Sequence, residues 1–511
     1  MLLRLSRLFA IAAALACALS TARAEPKRFT VEFMTLEILR DKGIITNAEF
    51  ESAMHDLADS VGVNAKDSLT LVLGKWSTTM YGFVETDAIW DSTESFNESA
   101  GNALVARPTG YSGNNGRFML AVRNSRLGFR LRAPEFHHVR VSAMLEMDFL
   151  GNQPPIGYSS AAGAFQISES AYFTNPAFRM RHYNLKIETP VVDILMGQYW
   201  QLFGWQSAYH PNTVEIQGLP GQIYGRTPQI RLSKTIKTDW ITFESAIAMM
   251  RPPQRDSWTP EGQVGVRMAL NKWTSRQTVG ATGSQSSPLS FAVTGDLRQF
   301  NLPEFAAKPK STVGKTGWGV AVDAFVPLLS DRIANGRLGS LAANFEYAYG
   351  YGIADLYTGA PGGTSNPPLP NPMNVMPAPA YNVDADPTLV VFDVNGEAHL
   401  INWESMEVGL QWYVPGLKDR LWLSGNFSRS VSNNATKHAA AGTPARGELL
   451  WADVNLFGDV TPSVRLGLEY AYWNDAQNDV TGKLGTPMGS SAQESVTANN
   501  HRVQFSAWYL F

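Results

Sequence analysis

The residues of this chain that could do chemistry are charged side chains at alternate positions, without any arrangement typical of an enzyme. The eight histidines are scattered. The adjacent pair His137-His138 would face opposite sides of a strand and could not hold one metal ion. No glycine-rich phosphate loop connects a strand to a helix. The sequence therefore predicts no catalytic site, no metal site and no cofactor.

Basic residues are the most informative of these side chains. Residues 116–235 contain twelve Lys and Arg against seven Asp and Glu, whereas residues 401–511 contain eight against ten. A basic wall facing an acidic loop would create a transverse field that orients polar solutes and modestly favours anions. We take the candidate selectivity residues to be Arg126, Arg130, Arg140, Lys186, Arg231, Glu146 and Asp148.

The elements that carry these residues are predicted to be strands. Within residues 138–150, for example, Val141 and Leu145 alternate with Arg140 and Glu146. Adjacent strand residues point to opposite faces, so such a strand has one apolar and one polar face. A soluble sandwich would show the same period. Tyr and Trp at the ends of the apolar faces, and short connections alternating with long ones, favour a transmembrane barrel.

The alternation predicts sixteen strands, an even number that returns both ends of the chain to one side of the membrane. Side-chain parity changes near residues 123–125, which predicts a β-bulge there. The connection 272–287 is long for a periplasmic turn and leaves the count open by about two. The predicted strands are 76–91, 116–132, 138–150, 178–188, 191–203, 226–235, 239–251, 262–271, 288–300, 315–327, 338–352, 401–413, 419–429, 446–457, 462–474 and 499–511.

The first 24 residues predict a cleaved export signal. Arg4 and Arg7 precede an apolar run that is too short to span a bilayer, and Ala22-Arg23-Ala24 forms a cleavage site. The chain's single cysteine, Cys17, lies inside this segment, so the mature chain could form no disulfide. Lipidation at Cys17 is the alternative. The formal net charge of −3 indicates no general affinity for nucleic acid.

Residues 25–75 predict a short periplasmic helical segment that could form a coiled coil. Apolar residues up to Leu39 follow helical spacing and Gly43 ends that helix. The capping box Thr46-Asn47-Ala48-Glu49 then starts a second helix. A periplasmic tail with only nascent helix is the alternative, because two short helices bury little by themselves.

A barrel of about sixteen strands is too wide for side chains to fill, so it leaves an aqueous channel unless a loop narrows it. The segment 204–227 is the expected constriction, and an external loop covering the mouth is the alternative. Residues 353–400, rich in Pro, Gly and Asn, predict a long surface-exposed loop. The candidate constriction residues are Tyr209, His210, Glu215, Gln217 and Tyr224.

Four features of the chain resemble known outer-membrane proteins. The last strand resembles the carboxyl-terminal assembly signal of bacterial outer-membrane proteins, with Phe505, Tyr509 and Phe511 on one face. Asn124-Ser125-Arg126-Leu127-Gly128-Phe129 is similar to a segment of general porins. Met196-Gly197-Gln198-Tyr199-Trp200-Gln201-Leu202-Phe203-Gly204 resembles the stretch that precedes their constriction loop. A helical extension before the barrel is similar to that of DcaP-like porins.

The resemblance implies a trimeric diffusion porin in the outer membrane of a Gram-negative bacterium, recognised by the barrel-assembly machinery. The candidate basic residues have an alternative role: they could extend to lipopolysaccharide or pair with lumen acids such as Glu188. The predicted fold class is all-β: a transmembrane antiparallel barrel of about sixteen strands over residues 76–511. The predicted function is passive diffusion of small hydrophilic solutes. The alternatives are a channel specific for anions or sugars, and a barrel adhesin or enzyme. On the last predicted strand, 499–511, Arg502 and Gln504 are expected to face the water-filled lumen.

Overall fold

The expected export signal and nearly all of the expected helical segment lie outside the residues that the structure describes. So does the central part of the loop 353–400. The computed structural model of the chain describes residues 40, 42, 69–73, 76–100, 104–108, 110–151, 176–254, 257–306, 309–330, 339–360, 385–393, 396–417, 419–438, 445–477 and 496–511.

The described part of the chain consists mostly of antiparallel strands. Its two short helices are α1 (Tyr111–Asn114) and α2 (Ala435–His438). The strands are β1 (Leu69–Leu73), β2 (Trp76–Asp91), β3 (Arg117–Ala121), β4 (Arg126–Arg132), β5 (Arg140–Asp148), β6 (Arg179–Glu188), β7 (Asp193–Trp200), β8 (Arg226–Lys237), β9 (Ile241–Met250), β10 (Glu261–Gln277), β11 (Gln285–Pro303), β12 (Thr312–Leu329), β13 (Leu341–Tyr351), β14 (Val390–Phe392), β15 (Ala398–Leu400), β16 (Asn402–Tyr413), β17 (Leu421–Val431), β18 (Arg446–Thr461), β19 (Val464–Gln477) and β20 (Val496–Leu510).

These strands close into a barrel. Each wall strand pairs with the next in the chain, and β20 pairs back with β2 from Phe83↔Leu510 to Asp91↔Arg502. β3 and β4 are two halves of one wall strand, β1 is an addition to the edge of β2, and β14 and β15 form a separate hairpin. The described wall therefore has sixteen strands, and the predicted all-β barrel is confirmed.

The alternation of the sequence separates the two faces of the wall. In β16, Met406, Val408 and Leu410 are exposed on the outside, whereas Glu407 and Gln411 are buried inside. Exposed tryptophans such as Trp240, Trp273 and Trp412 add aromatic side chains to this apolar outer face. Such a surface suits a bilayer with aromatic interfaces. No described helix combines the length and the apolar character needed to cross a membrane.

The predicted bulge is present where β3 ends and β4 begins. β2 pairs with both halves, and residues 122–125 interrupt the ladder between them. The Ser125 hydroxyl accepts a hydrogen bond from the Glu85 N–H at 2.9 Å, and the Asn124 amide donates to the Glu85 carboxylate at 2.6 Å. The extra residues restore the inward parity of Arg126 and Arg130.

The connection predicted at 272–287 is shorter than expected, because β10 continues to Gln277 and β11 begins at Gln285. A register shift between Leu270 and Thr274 bends this long hairpin. Its turn reaches the opposite wall, where the Arg465 guanidinium donates to the carbonyls of Gly280 at 2.9 Å and Thr282 at 2.7 Å. The end of the barrel that carries the short turns is called the turn end. The β10–β11 turn and the Arg465 side chain narrow it.

Long loops fold into the opposite, loop end. Phe96 stacks on Trp473 with ring centroids 4.6 Å apart, and Ile223 is buried in one apolar cluster with Ile353 and Tyr357. The expectation of a surface-exposed loop at 353–400 is wrong for its described ends, where Leu356 and Leu389 are also buried. These side chains are apolar, and the lumen gives them a place to pack.

The same inward folding corrects two smaller expectations. Arg502 and Gln504 do point inward, but they are fully buried under loops and do not line water. Within the segment predicted to be helical, Leu69–Leu73 forms strand β1, which pairs with β2 from Leu69↔Met80 to Leu73↔Trp76. Phe511 exchanges backbone hydrogen bonds with Gly82 at 2.9 and 3.1 Å, so β1 continues the line of β20 along the edge of β2.

Candidate functional site in the barrel lumen

The loop between β7 and β8 turns inward as soon as it leaves the wall; residues 201–225 are called the inward loop. The Gln263 side-chain carbonyl accepts hydrogen bonds from the N–H groups of Leu202 and Phe203, both at 2.9 Å. The Gly204 N–H donates to the Thr294 hydroxyl at 2.9 Å. Gly204 has a φ of +71°, a conformation that glycine adopts without steric cost.

The inward loop then crosses to the wall formed by β13 and β16–β20, called the anchoring wall. Thr213 donates to the Glu469 carboxylate at 2.7 Å, and the N–H groups of Val214 and Glu215 donate to the same carboxylate at 3.0 and 3.1 Å. The Trp422 indole N–H donates to the Asn212 side chain at 2.8 Å. Buried backbone groups need such partners, so these wall residues fix the path of the loop.

An ion-pair network extends this anchorage to the first loop. Arg502 donates to the carboxylates of Glu215 at 2.7 Å and Asp91 at 2.9 Å. Glu215 also accepts the Ala100 N–H at 3.0 Å. All three charged groups are buried, and removing one partner of such a network leaves an uncompensated charge. Glu215 is therefore a structural anchor in the inward loop.

The returning half of the loop lies against the same wall. The Ile223 N–H donates to the Glu346 carboxylate at 2.7 Å, and the Ser428 hydroxyl donates to the Pro220 carbonyl. Gly221 has a φ of +88°, and a Cβ there would lie 2.7 Å from the Ser430 Oγ. Only glycine fits this position without displacing its neighbour.

Basic side chains lie on the opposite side of the lumen, on β4–β8. The arginine cluster consists of Arg126, Arg130, Arg181 and Arg226. The Arg226 guanidinium lies 4.9 Å from the Trp200 ring centroid and 5.3 Å from that of Tyr224. Arg130 lies 4.3 Å from the Tyr81 ring centroid. Stacking on aromatic faces holds these guanidinium groups in place while leaving their edges free to donate hydrogen bonds.

Two acids neutralise part of this positive charge. Arg181 donates to Glu146 at 2.7 Å and to Asp148 at 3.1 Å, and Arg179 binds Asp148 through two hydrogen bonds of 2.9 and 2.6 Å. Arg126 lies 3.8 Å from Glu146. Glu146 and Asp148 thus face the lumen, as their parity predicted, but they are engaged by arginines.

The remaining predicted basic residues separate into two groups. Among the described residues, Arg130 and Arg231 have no carboxylate within 4.0 Å; Arg231 donates to the Trp200 carbonyl at 2.6 Å. Arg140 and Lys186 both pair with Glu188, at 3.7 and 2.9 Å, toward the turn end. Pairing with neighbouring acids, the alternative expected for these residues, thus describes Arg140 and Lys186, and it also describes Arg126 beside Glu146.

The predicted loop residues are also distributed over the inward loop. Tyr209 is buried beside Arg267, and Gln217 is half-buried. His210 and Tyr224 face the arginine cluster, where the His210 ring centroid lies 4.8 Å from that of Trp200. Burial and the nearby Arg226 and Arg181 lower the pKa of His210 to about 4.

Tyr224 is a group of the inward loop whose pKa is shifted toward neutral pH. Burial raises the pKa of Tyr224, but the guanidinium groups of Arg181, Arg226 and Arg126 outweigh burial and lower it to about 7. Its hydroxyl can therefore carry a negative charge in mildly alkaline solution. That charge would offset part of the arginine cluster.

Sequence reasoning missed Arg181 and Arg226. Parity places Arg181 on the outside, but a register shift between Glu146 and Met147 turns it inward. Arg226 is the first residue of β8 and turns toward Trp200. A bulge or a strand end breaks the two-residue period, so no signal in the alternation could have found either residue.

A second group of polar residues lies in the long loop 353–400 and not on a wall strand. The hairpin of β14 and β15 brings together Asp393, Glu397 and His399, whose donor atoms all lie within 4.8 Å of one another. The sequence predicted no metal site. The missed signal is the spacing of these three residues around a tight turn at Gly396, whose φ is +82°.

Comparisons with known proteins identify the fold. No family model matches the chain, and no curated protein matches it. The outer-membrane channel DcaP of Acinetobacter baumannii is 15% identical, with a TM-score of 0.54 over 86% of this chain and 99% of that one. An anion-selective porin from Comamonas acidovorans is 10% identical, with a TM-score of 0.43 over 85% of this chain and 100% of the other. The outer-membrane protein OmpT of Vibrio cholerae is 10% identical, with a TM-score of 0.44 over 87% and 100%. The likeness to the DcaP channel confirms the expected resemblance at the level of the fold.

Proposed function

We propose that this chain is an outer-membrane porin whose water-filled lumen admits small hydrophilic solutes by passive diffusion. The observation that carries the proposal is the path of the inward loop. Its backbone is bound to the anchoring wall, and we infer that it narrows the lumen but leaves a passage on the side that carries the arginine cluster. Arg126, Arg130 and Arg226 keep part of their surface accessible there. A sixteen-stranded barrel is wide enough for such a route.

The test is ion conductance of the purified, folded protein in planar bilayers, combined with swelling of liposomes in neutral sugars of increasing size. We expect stepwise conductance and swelling rates that fall with solute size alone. Saturable block by one class of solute would favour a substrate-specific channel instead. The absence of both conductance and swelling would favour an adhesin or a barrel enzyme.

A channel that prefers anions is the second candidate, and the arginine cluster favours it. Glu146 and Asp148 do not balance Arg126, Arg179, Arg181 and Arg226, and the five acidic residues Asp323, Glu346, Glu407, Asp453 and Glu469 lie buried behind or beside the inward loop. The accessible charge along the proposed route is therefore positive. A positive route concentrates anions near the constriction. Sugars remain an alternative because Tyr81, Tyr199 and Trp200 flank the same surface.

The location and assembly follow from the same proposal. The apolar outer face would contact lipid and lipopolysaccharide in the outer membrane, and Phe505, Tyr509 and Phe511 would be recognised by the barrel-assembly machinery. Tyr509 is exposed on this face, which suits such recognition. Residues 25–68 would lie in the periplasm, because β1 enters the wall at the turn end. We propose a homotrimer, and chemical crosslinking of the protein in native membranes tests it: a monomer alone would contradict it.

A further inference from the structure

The hairpin of β14 and β15 carries a set of ligands that the channel function does not use. In a β-hairpin, paired residues share one face, and alternate residues along each strand do so too. Val391 pairs with His399, and the Asp393 and Glu397 backbones are hydrogen-bonded at 2.9 Å. Asp393, Glu397 and His399 therefore lie on one face. The other face packs inward through Val390 and Ala398, among other residues.

The donor atoms on this face are already close to the spacing that a metal ion requires. The His399 Nε2 lies 3.0 Å from the Asp393 Oδ2. Two ligands of a tetrahedral zinc ion, each bound at about 2.0–2.1 Å, are separated by about 3.3 Å. Glu397 is exposed, so its longer side chain can turn to complete the set.

The surroundings orient these ligands. The Glu397 N–H donates to the Asp393 Oδ1 at 2.9 Å, which directs the other carboxylate oxygen toward His399. The His438 ring stacks on the His399 ring with centroids 4.3 Å apart and an interplanar angle of 12°. Hydrogen bonds that fix the orientation of metal ligands are a general feature of metal sites. His438 would act here as a positioning residue, because its ring plane is nearly parallel to that of His399.

The supporting contacts also join two loops. His438 ends α2, and the Asn434 side chain just before that helix accepts the Asn402 N–H at 2.9 Å and donates to the Leu400 carbonyl at 2.9 Å. The hairpin and the helix are thus one unit at the loop end of the barrel. The exposed fractions of the Asp393 and His399 side chains are 21% and 32%, so an ion can reach them from solvent.

We propose that Asp393, Glu397 and His399 bind a divalent transition-metal ion of the zinc type, with solvent in the fourth position. An imidazole with two carboxylates suits zinc, whereas calcium takes oxygen ligands only. On binding, the metal would replace the hydrogen between His399 Nε2 and Asp393 Oδ2; the imidazole binds as the neutral ring, so a proton is either released or carried on Nδ1. The bound ion would hold the hairpin rigid beside α2.

The test is calorimetric titration of Zn²⁺ into the full-length, untagged protein folded in detergent. We expect one Zn²⁺ per chain, with affinity lowered at least about tenfold in Asp393→Asn and in His399→Asn. The matched control is His501→Asn, which removes an exposed histidine from the outer wall and should leave the affinity unchanged. His438→Phe keeps a flat stacking ring and should retain binding, and Ca²⁺ in excess should not compete.

Heat-dependent gel mobility of each variant shows whether the barrel has folded, so a loss of binding in a folded variant is informative. Substitution with Co²⁺ gives a second readout. Co²⁺ in a tetrahedral site with nitrogen and oxygen ligands absorbs visible light much more strongly than the octahedral aqua ion does. Equal Zn²⁺ affinity in the wild type, Asp393→Asn and His399→Asn would overturn the proposal. Loss of binding in His438→Phe with retention in Asp393→Asn would overturn the assigned ligands.

Discussion

At the scale of single residues, the acids and the arginines of the lumen lie on opposite sides and have different roles. Acids of the anchoring wall accept hydrogen bonds from the inward loop, as Glu469 and Glu346 do, and are covered by it. The arginines of the other side stack on Tyr81, Trp200 and Tyr224 and keep an accessible edge. Position relative to the inward loop, more than the count of charges, decides which residues a solute meets.

This arrangement makes Arg126 and Arg130 the predicted basic residues to test first. We expect Arg126→Ser and Arg130→Ser each to reduce the preference for anions, measured as the reversal potential across a salt gradient. A unit charge about 8 Å from the passing ion contributes about 0.5 kcal/mol in water, or about a twofold change in permeability ratio. Arg429→Ser is the matched control, because Arg429 pairs with Glu448 on the outer face at 2.6 Å. An equal shift in the control would show that the effect is not local.

Tyr224 would give the proposed selectivity a pH dependence. Below a pH of about 7 its hydroxyl is protonated and neutral, and above that pH it becomes an anion beside the arginine cluster. We therefore expect the preference for anions to decrease as the pH rises from 6 to 8 (the range is about one unit on each side of that pKa). Tyr224→Phe should remove this part of the change. The same pH profile in wild type and variant would exclude Tyr224 as its source.

At the scale of elements, the strands were predictable and the departures from regular pairing were not. The sixteen predicted ranges correspond to the sixteen wall strands because each has one apolar and one polar face, and the change of parity even located the bulge at residues 122–125. Arg181 could not be placed, because its orientation depends on a register shift in the neighbouring pair. The bent hairpin ending at Gln277 likewise depends on contacts with distant residues such as Arg465.

The proposed channel depends most on one element, the inward loop. Gly221→Ala should strain the backbone by about 1–2 kcal/mol and also drive a Cβ toward the Ser430 Oγ. We expect this to displace the loop and to change the single-channel conductance or its open-channel noise. Gly416→Ala is the matched control: Gly416 has a similar φ of +84° with nothing within 4 Å of the added Cβ. If the control changed the conductance equally, the effect of Gly221→Ala could not be assigned to displacement of the inward loop.

At the scale of the whole molecule, the last residue closes the barrel. Phe511 exchanges two backbone hydrogen bonds with Gly82, and its ring lies against the same glycine. We expect deletion of Phe511 to lower the amount of folded barrel in the outer membrane, since it removes both the seam contacts and the end of the proposed assembly signal. The measurement is the fraction of protein with heat-modifiable gel mobility. An unchanged fraction would show that the seam and the signal tolerate its loss.

The sequence predicted the closed barrel as a whole, and it could not predict how the loops fill it. Alternation is a local property, whereas the burial of Arg502 results from loops that are distant in sequence and fold onto the same wall. The same holds for the site on β14 and β15, where the paired backbone of a short hairpin brings three ligands together. Long-range contacts, which no local pattern encodes, determine both features.

In the proposed channel, solutes pass on the arginine side of the inward loop and not beneath it. The chain's single cysteine falls in the expected export signal, so a cysteine introduced into the barrel can be modified alone. We would measure the current through Arg226→Cys and Ser428→Cys channels during addition of a negatively charged thiol reagent. We expect block in Arg226→Cys and none in Ser428→Cys, which is fully buried under the loop. Block in Ser428→Cys with no effect in Arg226→Cys would contradict a route on the arginine side.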